Sequence, residues 1–317
     1  MTQTIYKRKL ICLSALAAVL ALIFIGTVVF NPERTALRNA AFTWIEPGLL
    51  DLADRIEISG SQGNTLLSRK NNVWVISSGE TGYPVKQARV EDLLKALSGR
   101  GLYQVRSNSA SAHERLGLVE GRASRIVIRG GPGLPLLDLF IGFAAAPGRE
   151  VYLRKAGQNE VRSGEDRFTA YTESPAASWY DLRLFPDLET AMIQRVRVTP
   201  PGQEEAPYTL SRNGRGWSFS GTLEPPEPSR VESWLRSLAD AEADDFNTAL
   251  AQADAVSGSG SILLELGDGS IITLRLGQND AGNRRDASVS LSSFVYSLSE
   301  WTVNRLFREA SYFMQEP

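Results

Sequence analysis

SRKNNVWVIS, residues 68–77, and SRNGRGWSFS, residues 211–220, place Ser-Arg, a tight turn and a Trp at the same spacing twice in one chain. Two explanations compete: a pair of matching ligand sites, or one fold built twice. The flanking sequence favours the second. Asp54-Arg-Ile-Glu-Ile-Ser59 matches Gln194-Arg-Val-Arg-Val-Thr199, each alternating polar and apolar as a half-buried strand does. The two hairpins, Leu67 to Trp74 and Leu210 to Trp217, come next. Each half then has a Pro-containing stretch, Tyr83-Pro84 and Pro225-Pro226-Glu227-Pro228.

ARVEDLLKAL (88–97) and SRVESWLRSL (229–238) follow. Val90, Leu93, Leu94 and Leu97 fall at i, i+3, i+4 and i+7, one face of a helix, and Val231, Trp234, Leu235 and Leu238 repeat that face. Arg89, Glu91, Arg230 and Glu232 lie off the apolar stripe and are expected in solvent. Beyond the helices, Ile126-Val-Ile128 aligns with Ile262-Leu-Leu264, and LLDLFIG (136–142) with ITLRLG (272–277). Val151-Tyr-Leu153 aligns with Val289-Ser-Leu291, and Val161-Arg-Ser163 with Val295-Tyr-Ser297. Each repeat therefore reads as strand, hairpin, helix, three-strand meander and closing segment. The expected class is α+β with mostly antiparallel sheets, in two tandem modules covering residues 53–186 and 187–317.

Ahead of them, Lys7-Arg8-Lys9 precedes LICLSALAAVLALIFIGTVVF, residues 10–30, which carries no charge. At 1.5 Å per residue this run gives about 31 Å of helix, close to the ~30 Å hydrocarbon core of a bilayer. It exceeds a signal-peptide h-region, and no small-x-small cleavage site follows directly. The expectation is an uncleaved transmembrane helix between a cytoplasmic tail (1–9) and a linker (31–52). The basic tail places the N-terminus in the cytoplasm and the modules outside the cytoplasmic (inner) membrane. Trp44, just past the apolar run, is expected as an interfacial ring.

Composition excludes several classes. With 34 basic and 36 acidic residues there is no electrostatic footprint for nucleic acid. The single cysteine, Cys12, lies in the apolar run, so the rest of the chain cannot build a disulfide or a Cys-based metal site. One histidine, His113, argues against a His-rich metal site and would have to serve any Ser–His–Asp triad, for which no Gly-x-Ser-x-Gly elbow is present. Arg129-Gly-Gly-Pro-Gly133, Gly214-Arg-Gly216 and Gly267-Asp-Gly269 join apolar strands and read as hairpin turns, not phosphate loops. Asp240, Glu242, Asp244 and Asp245 lack the Gly and closing Glu of a calcium loop and read as a solvated helix end. Trp74, Trp217 and Trp234 sit on faces expected to be buried. No catalytic, cofactor-binding or metal-ligating residue is assigned.

The order of membrane anchor, strand–Trp–Pro–helix (VWVIS, Tyr83-Pro84, VEDLLKAL), Leu116-Gly-Leu118, Ile141-Gly142 and Val151-Tyr-Leu-Arg154 resembles the uncharacterised bacterial family catalogued as domain of unknown function 4340, over roughly residues 50–310. The second half keeps Trp217, the helix and Leu276-Gly277 but lacks Leu-Gly-Leu and has Val-Ser-Leu-Ser for Val-Tyr-Leu-Arg. The resemblance implies a single-pass membrane protein related to gliding-motility and ABC-transporter auxiliary proteins. No transferable catalytic residue comes with it. The expected function is a non-enzymatic accessory protein whose partners are the membrane and integral subunits of an ABC-type transport system. The alternative is a module binding an envelope polymer, peptidoglycan or polysaccharide.

Overall fold

The computed structural model describes residues 19–20, 41–78, 81–133, 135–146, 150–203, 206–214, 216–220, 225–250, 260–279 and 284–314. Among these, no helix is long and apolar enough to cross a membrane. The expected span at 10–30 lies outside the described residues, Val19 and Leu20 excepted. The chain divides into two compact units. One holds residues up to Ser77 together with Gln87–Ser178; the other holds Ser78–Lys86 together with Trp179 onward. Each is an antiparallel sheet with a few helices, which is the expected α+β class.

In the first unit the strands are β1 (Ala41–Phe42), β2 (Arg55–Gly60), β3 (Gly63–Lys70) and β4 (Val73–Ser78), then, after β5 (Thr81–Pro84) of the second unit, β6 (Gly101–Ser107), β7 (Ser124–Arg129), β8 (Leu137–Ala146), β9 (Glu150–Lys155) and β10 (Val161–Glu165). From the hairpin outward they run β4-β3-β2-β7-β8-β9-β10-β6-β1, every neighbouring pair antiparallel. Asn71 and Asn72, at φ 50° and 67°, make the two-residue β3–β4 turn. Positive φ at both positions matches the twist of the flanking strands, and Asn tolerates it. The turn sets Arg69 opposite Trp74. Helix α1 (Gln87–Ser98) buries Val90, Leu93 and Leu97 together with Ile56, Ile58, Leu67, Ile126, Ile128 and Leu139, the inward positions of the alternating strands. The Gln87 amide receives the Trp74 N–H (3.1 Å) and donates to the Trp74 carbonyl (2.8 Å), so a side chain satisfies the backbone of β4.

The second unit contains β5 (Thr81–Pro84), β11 (Ile193–Thr199), β12 (Tyr208–Asn213), β13 (Gly216–Phe219), β14 (Asp245–Phe246), β15 (Gly260–Leu266), β16 (Ile271–Asn279), β17 (Arg284–Val289) and β18 (Val295–Ser299). Its main sheet runs β13-β12-β11-β15-β16-β17-β18-β14. Helix α2 (Pro228–Ala239) starts with Pro in its first turn, where the missing N–H costs nothing, and buries Val231, Trp234, Leu235 and Leu238. Trp234 donates Nε1–H to the Leu306 carbonyl (3.0 Å), in helix α3 (Glu300–Leu306), and packs edge-on against Phe313. Tyr83 belongs here because its ring lies 5.0–5.8 Å from Phe294, Phe246 and Tyr180. Arg212 pairs across the ladder with Trp217 and stacks on the indole at 4.8 Å, while Trp217 Nε1–H bonds Glu232 (2.9 Å).

Three local expectations are corrected. Trp44 is not an interfacial ring: it is 2% exposed, packed edge-on between Phe42 and Tyr103. Arg89 and Arg230 are not simply solvated. Each reaches carbonyls far along the chain, Arg89 to Ala170 (3.1 Å) and Arg230 to Tyr312 and Met314 (3.1 Å each). Glu232, expected in solvent, accepts from Trp217. Finally, β17 ends at Val289, and Ser290 and Leu291 form a turn. By ladder register, Ile141 faces Leu153 in the first sheet, and in the second Leu276 faces Ala287 and Leu274 faces Val289.

Candidate functional site

The sequence features that carry the family resemblance converge at one place in the first unit. After β6 the chain makes a short helix, Ala112–Arg115, then passes through Leu116-Gly-Leu118 to reach β7. This strap lies over the face of β8–β10 opposite the inward residues named above. Leu118 and Val161, both 0% exposed, pack with Phe140, and Leu116, Ala123, Tyr152 and Ala156 close around them. Gly117 sits at φ +72°, and a Cβ there would meet the Phe143 ring at 2.8 Å. A Cβ on Gly142 would meet the Leu116 carbonyl at 2.3 Å. Both glycines are therefore required by close approach.

Arg154 locks the strap down. Its guanidinium lies 4.6 Å from the Phe140 centroid and donates to the Leu118 carbonyl (2.8 Å), with longer bonds to Gln158 (3.3 Å) and Lys155 (3.4 Å). Burial lowers its pKa, opposed only by the more distant charge of Asp138. On the same ring Arg125 stacks at 4.9 Å, held by both oxygens of Asp138 (2.6 and 2.7 Å), a bond that raises its pKa. His113 ties the other end: its Nε2–H donates to the Asn159 carbonyl (3.2 Å), so the ring is an anchor of the strap. None of the bonds it makes there involves a nucleophile.

Where the strap runs into β7, a cleft of about 800 Å³ opens at the end of the sheet. Its walls are the β2–β3 turn (Ser59–Ser61), the strap residues Glu120–Ser124, the outer part of β8 and the Asp166–Glu173 segment. Phe143 stands in it 52% exposed, one ring face backed by Gly117. Strand alternation would bury Phe143 beside Leu139 and Ile141. Instead its N–H leaves the ladder for the Leu116 carbonyl (3.0 Å), and the register breaks between Ile141 and Ala144. Arg122 reaches Glu114 only at 3.8 Å, beyond ordinary charge-assisted bonding. Asp166 is committed to the Phe168 and Thr169 amides (3.2 and 3.0 Å). Sequence reasoning missed Phe143, Arg122 and Glu173, because the ladder break that exposes Phe143 is a tertiary effect.

The other candidates resolve into structure. Gly131 and Gly133, at φ +69° and +154°, form the β7–β8 turn, with Gly131 N–H bonding Asp54 (2.9 Å). In the acidic run, Asp244 accepts from the Ser299 amide (2.6 Å) and the Thr302 hydroxyl (3.0 Å) at the start of α3. Glu242 pairs with Lys86 (3.6 Å), and Asp245 bonds the Phe246 amide (2.8 Å). Among the described residues no group of three or more His, Cys, Asp or Glu side chains is placed to hold a metal ion. Trp74 and Trp217 are each 6% exposed, so both rings of the opening motif lie in cores and not at a matched pair of ligand sites.

Two antiparallel α+β units, one bearing a strap-walled cleft, define the architecture. The family model described as "Domain of unknown function (DUF4340)" matches residues 74–257, more than half of the chain and part of both units, and the chain belongs to that family. No curated protein and no solved structure matches the chain significantly.

Proposed function

We propose that this protein is a non-enzymatic accessory protein anchored in the cytoplasmic membrane by residues 10–30, with both units extracytoplasmic and an ABC-type transport system as its partner. The observation that carries the reading is the charge-free 10–30 run behind Lys7-Arg8-Lys9, ahead of two folded units. The commitment of His113, Asp166 and Asp244 to backbone and capping bonds supports a role without chemistry. Purification of the full chain in mild detergent is expected to recover transporter ATPase and permease subunits; repeated isolation of the chain alone sinks the partner assignment. A C-terminal reporter active only in the cytoplasm is expected to stay dark, and activity refutes the topology.

The two units are, in the same proposal, copies of one module. Support comes from strand order: β4-β3-β2-β7-β8-β9-β10-β6 and β13-β12-β11-β15-β16-β17-β18-β14 have the same connectivity, with α1 and α2 at the same point. Arg89 and Arg230, each in the first turn of its helix, both bond carbonyls of the closing segment. An experimental structure with a different strand order in the second sheet would remove this reading.

A further inference from the structure

We propose that the cleft of the first unit binds a neutral saccharide, with Phe143 as the platform on which a sugar ring stacks. The inference concerns this cleft alone and stands whether or not the chain is anchored or bound to a transporter. A pyranose presents a flat C–H face and a rim of hydroxyls, so its site needs an accessible aromatic plane with donors and acceptors around it. Phe143 supplies the plane: Gly117 backs one face and leaves the ring 52% exposed in a concave setting. The polar rim is mixed. Arg122 offers donors, its contact with Glu114 being 3.8 Å long, Glu173 is an exposed acceptor, and Ser61 and Ser124 add hydroxyls. The volume, about 800 Å³, falls in the usual range of ~300–1,000 Å³ for small-molecule sites.

Competing ligand classes fit less well. Polyphosphates would meet Glu120, Asp166 and Glu173, while Arg125 is already held by Asp138. An extended peptide gains most of its affinity from an open sheet edge. The strand that floors this cleft, β8, is instead paired with β7 as far as Ile141, and beyond it the Phe143 N–H is taken by the Leu116 carbonyl of the strap.

The test uses the full chain in a detergent without a sugar headgroup. Chitotriose, cellotriose and maltotriose are titrated by calorimetry, with ATP and a neutral tetrapeptide as comparators. At least one oligosaccharide is expected to bind with a Kd below about 1 mM. Phe143→Ala is expected to weaken it by about tenfold or more with an unchanged thermal midpoint, since the ring is half exposed. Should that variant fail to fold, Phe143→Leu, which keeps apolar bulk but no flat face, is expected to show the same loss. Absence of binding by all three sugars at ~10 mM, binding indifferent to Phe143, or binding of ATP or the peptide in their place each overturns the proposal.

Discussion

Arg154→Met tests whether the strap is held by one guanidinium. Methionine keeps an apolar stem against Phe140 but removes the bond to the Leu118 carbonyl, the two longer bonds to the 155–158 turn and the charge over the ring. A charged donor to a carbonyl contributes about 1.5–3 kcal/mol and the cation–π contact about 1 more. Relief of burying a guanidinium, visible in its lowered pKa, offsets part of this. A net loss of about 2 kcal/mol corresponds to roughly thirtyfold in the opening equilibrium. The loss is local, so the assay is amide hydrogen exchange. The Leu118 amide (to His113 O, 2.8 Å), the Phe143 amide (to Leu116 O, 3.0 Å) and the Ala123 amide (to Val119 O, 3.0 Å) are expected to exchange about thirtyfold faster. Amides of the β2–β7 ladder around Ile56 and Ile128 should keep their rates. Unchanged strap amides, or ladder amides accelerated equally, would refute the reasoning.

Gly142→Ala places a Cβ 2.3 Å from the Leu116 carbonyl and is expected to speed the same strap amides. Gly48→Ala, with nothing within 4 Å, should leave them unchanged. Gln87→Ala strips both side-chain bonds from the Trp74 backbone, and denaturant unfolding is expected to show a loss of about 1–2 kcal/mol; no loss would mean water replaces the amide fully. Burial raises the pKa of Tyr103, Tyr171, Tyr180, Tyr208 and Tyr296. An acid whose folded pKa lies above its unfolded value of about 10 contributes stability that is complete below pH ~10 and lost as pH rises past it. Stability is therefore expected to fall above pH ~10, and to fall less steeply in Tyr208→Phe, which is weaker at neutral pH because the hydroxyl bond to the Arg308 carbonyl (2.7 Å) is gone. Parallel alkaline profiles would contradict that assignment.

The helices were legible because Val90, Leu93 and Leu97, like Val231, Trp234, Leu235 and Leu238, repeat at helical spacing whatever they pack against. The hairpins were legible because Asn71-Asn72 and Gly214 declare tight turns locally. What failed depends on partners remote in sequence. Arg89 and Arg230 look like surface charge until a closing segment more than 80 residues away brings carbonyls to them. Val289-Ser-Leu291 alternates like a strand, but the ladder with β16 ends at Val289 and residues 290–291 turn. Phe143 was hidden for the same reason, since only the strap explains why its amide abandons the sheet. Leu-Gly-Leu, Ile-Gly and Val-Tyr-Leu-Arg could be recognised as a pattern, but their meeting on Phe140 could not.

That meeting also bears on the proposed duplication. In the proposed correspondence of the two units, Arg275 stands where Phe140 does, Ser288 where Arg154 does and Thr273 where Asp138 does. Phe140 is the surface on which both guanidiniums of the first unit rest, so the three positions are coupled and a change in one removes the purpose of the others. Phe140→Arg alone is then more damaging than loss of a ring. It sets a third guanidinium beside Arg125 and Arg154, now under 5 Å from the same centroid, with Asp138 already bound, and takes the apolar floor from Leu118. Like charges in a partly desolvated site repel strongly. The strap amides are expected to exchange faster than in Arg154→Met, beyond about thirtyfold. Pairing the change with Arg154→Ser, which leaves two guanidiniums beside the Asp138 carboxylate in place of three, should recover part of the protection of the β7–β8 ladder by relieving the charge. Strap protection equal to the unaltered chain in Phe140→Arg would show that the ring is not its foundation.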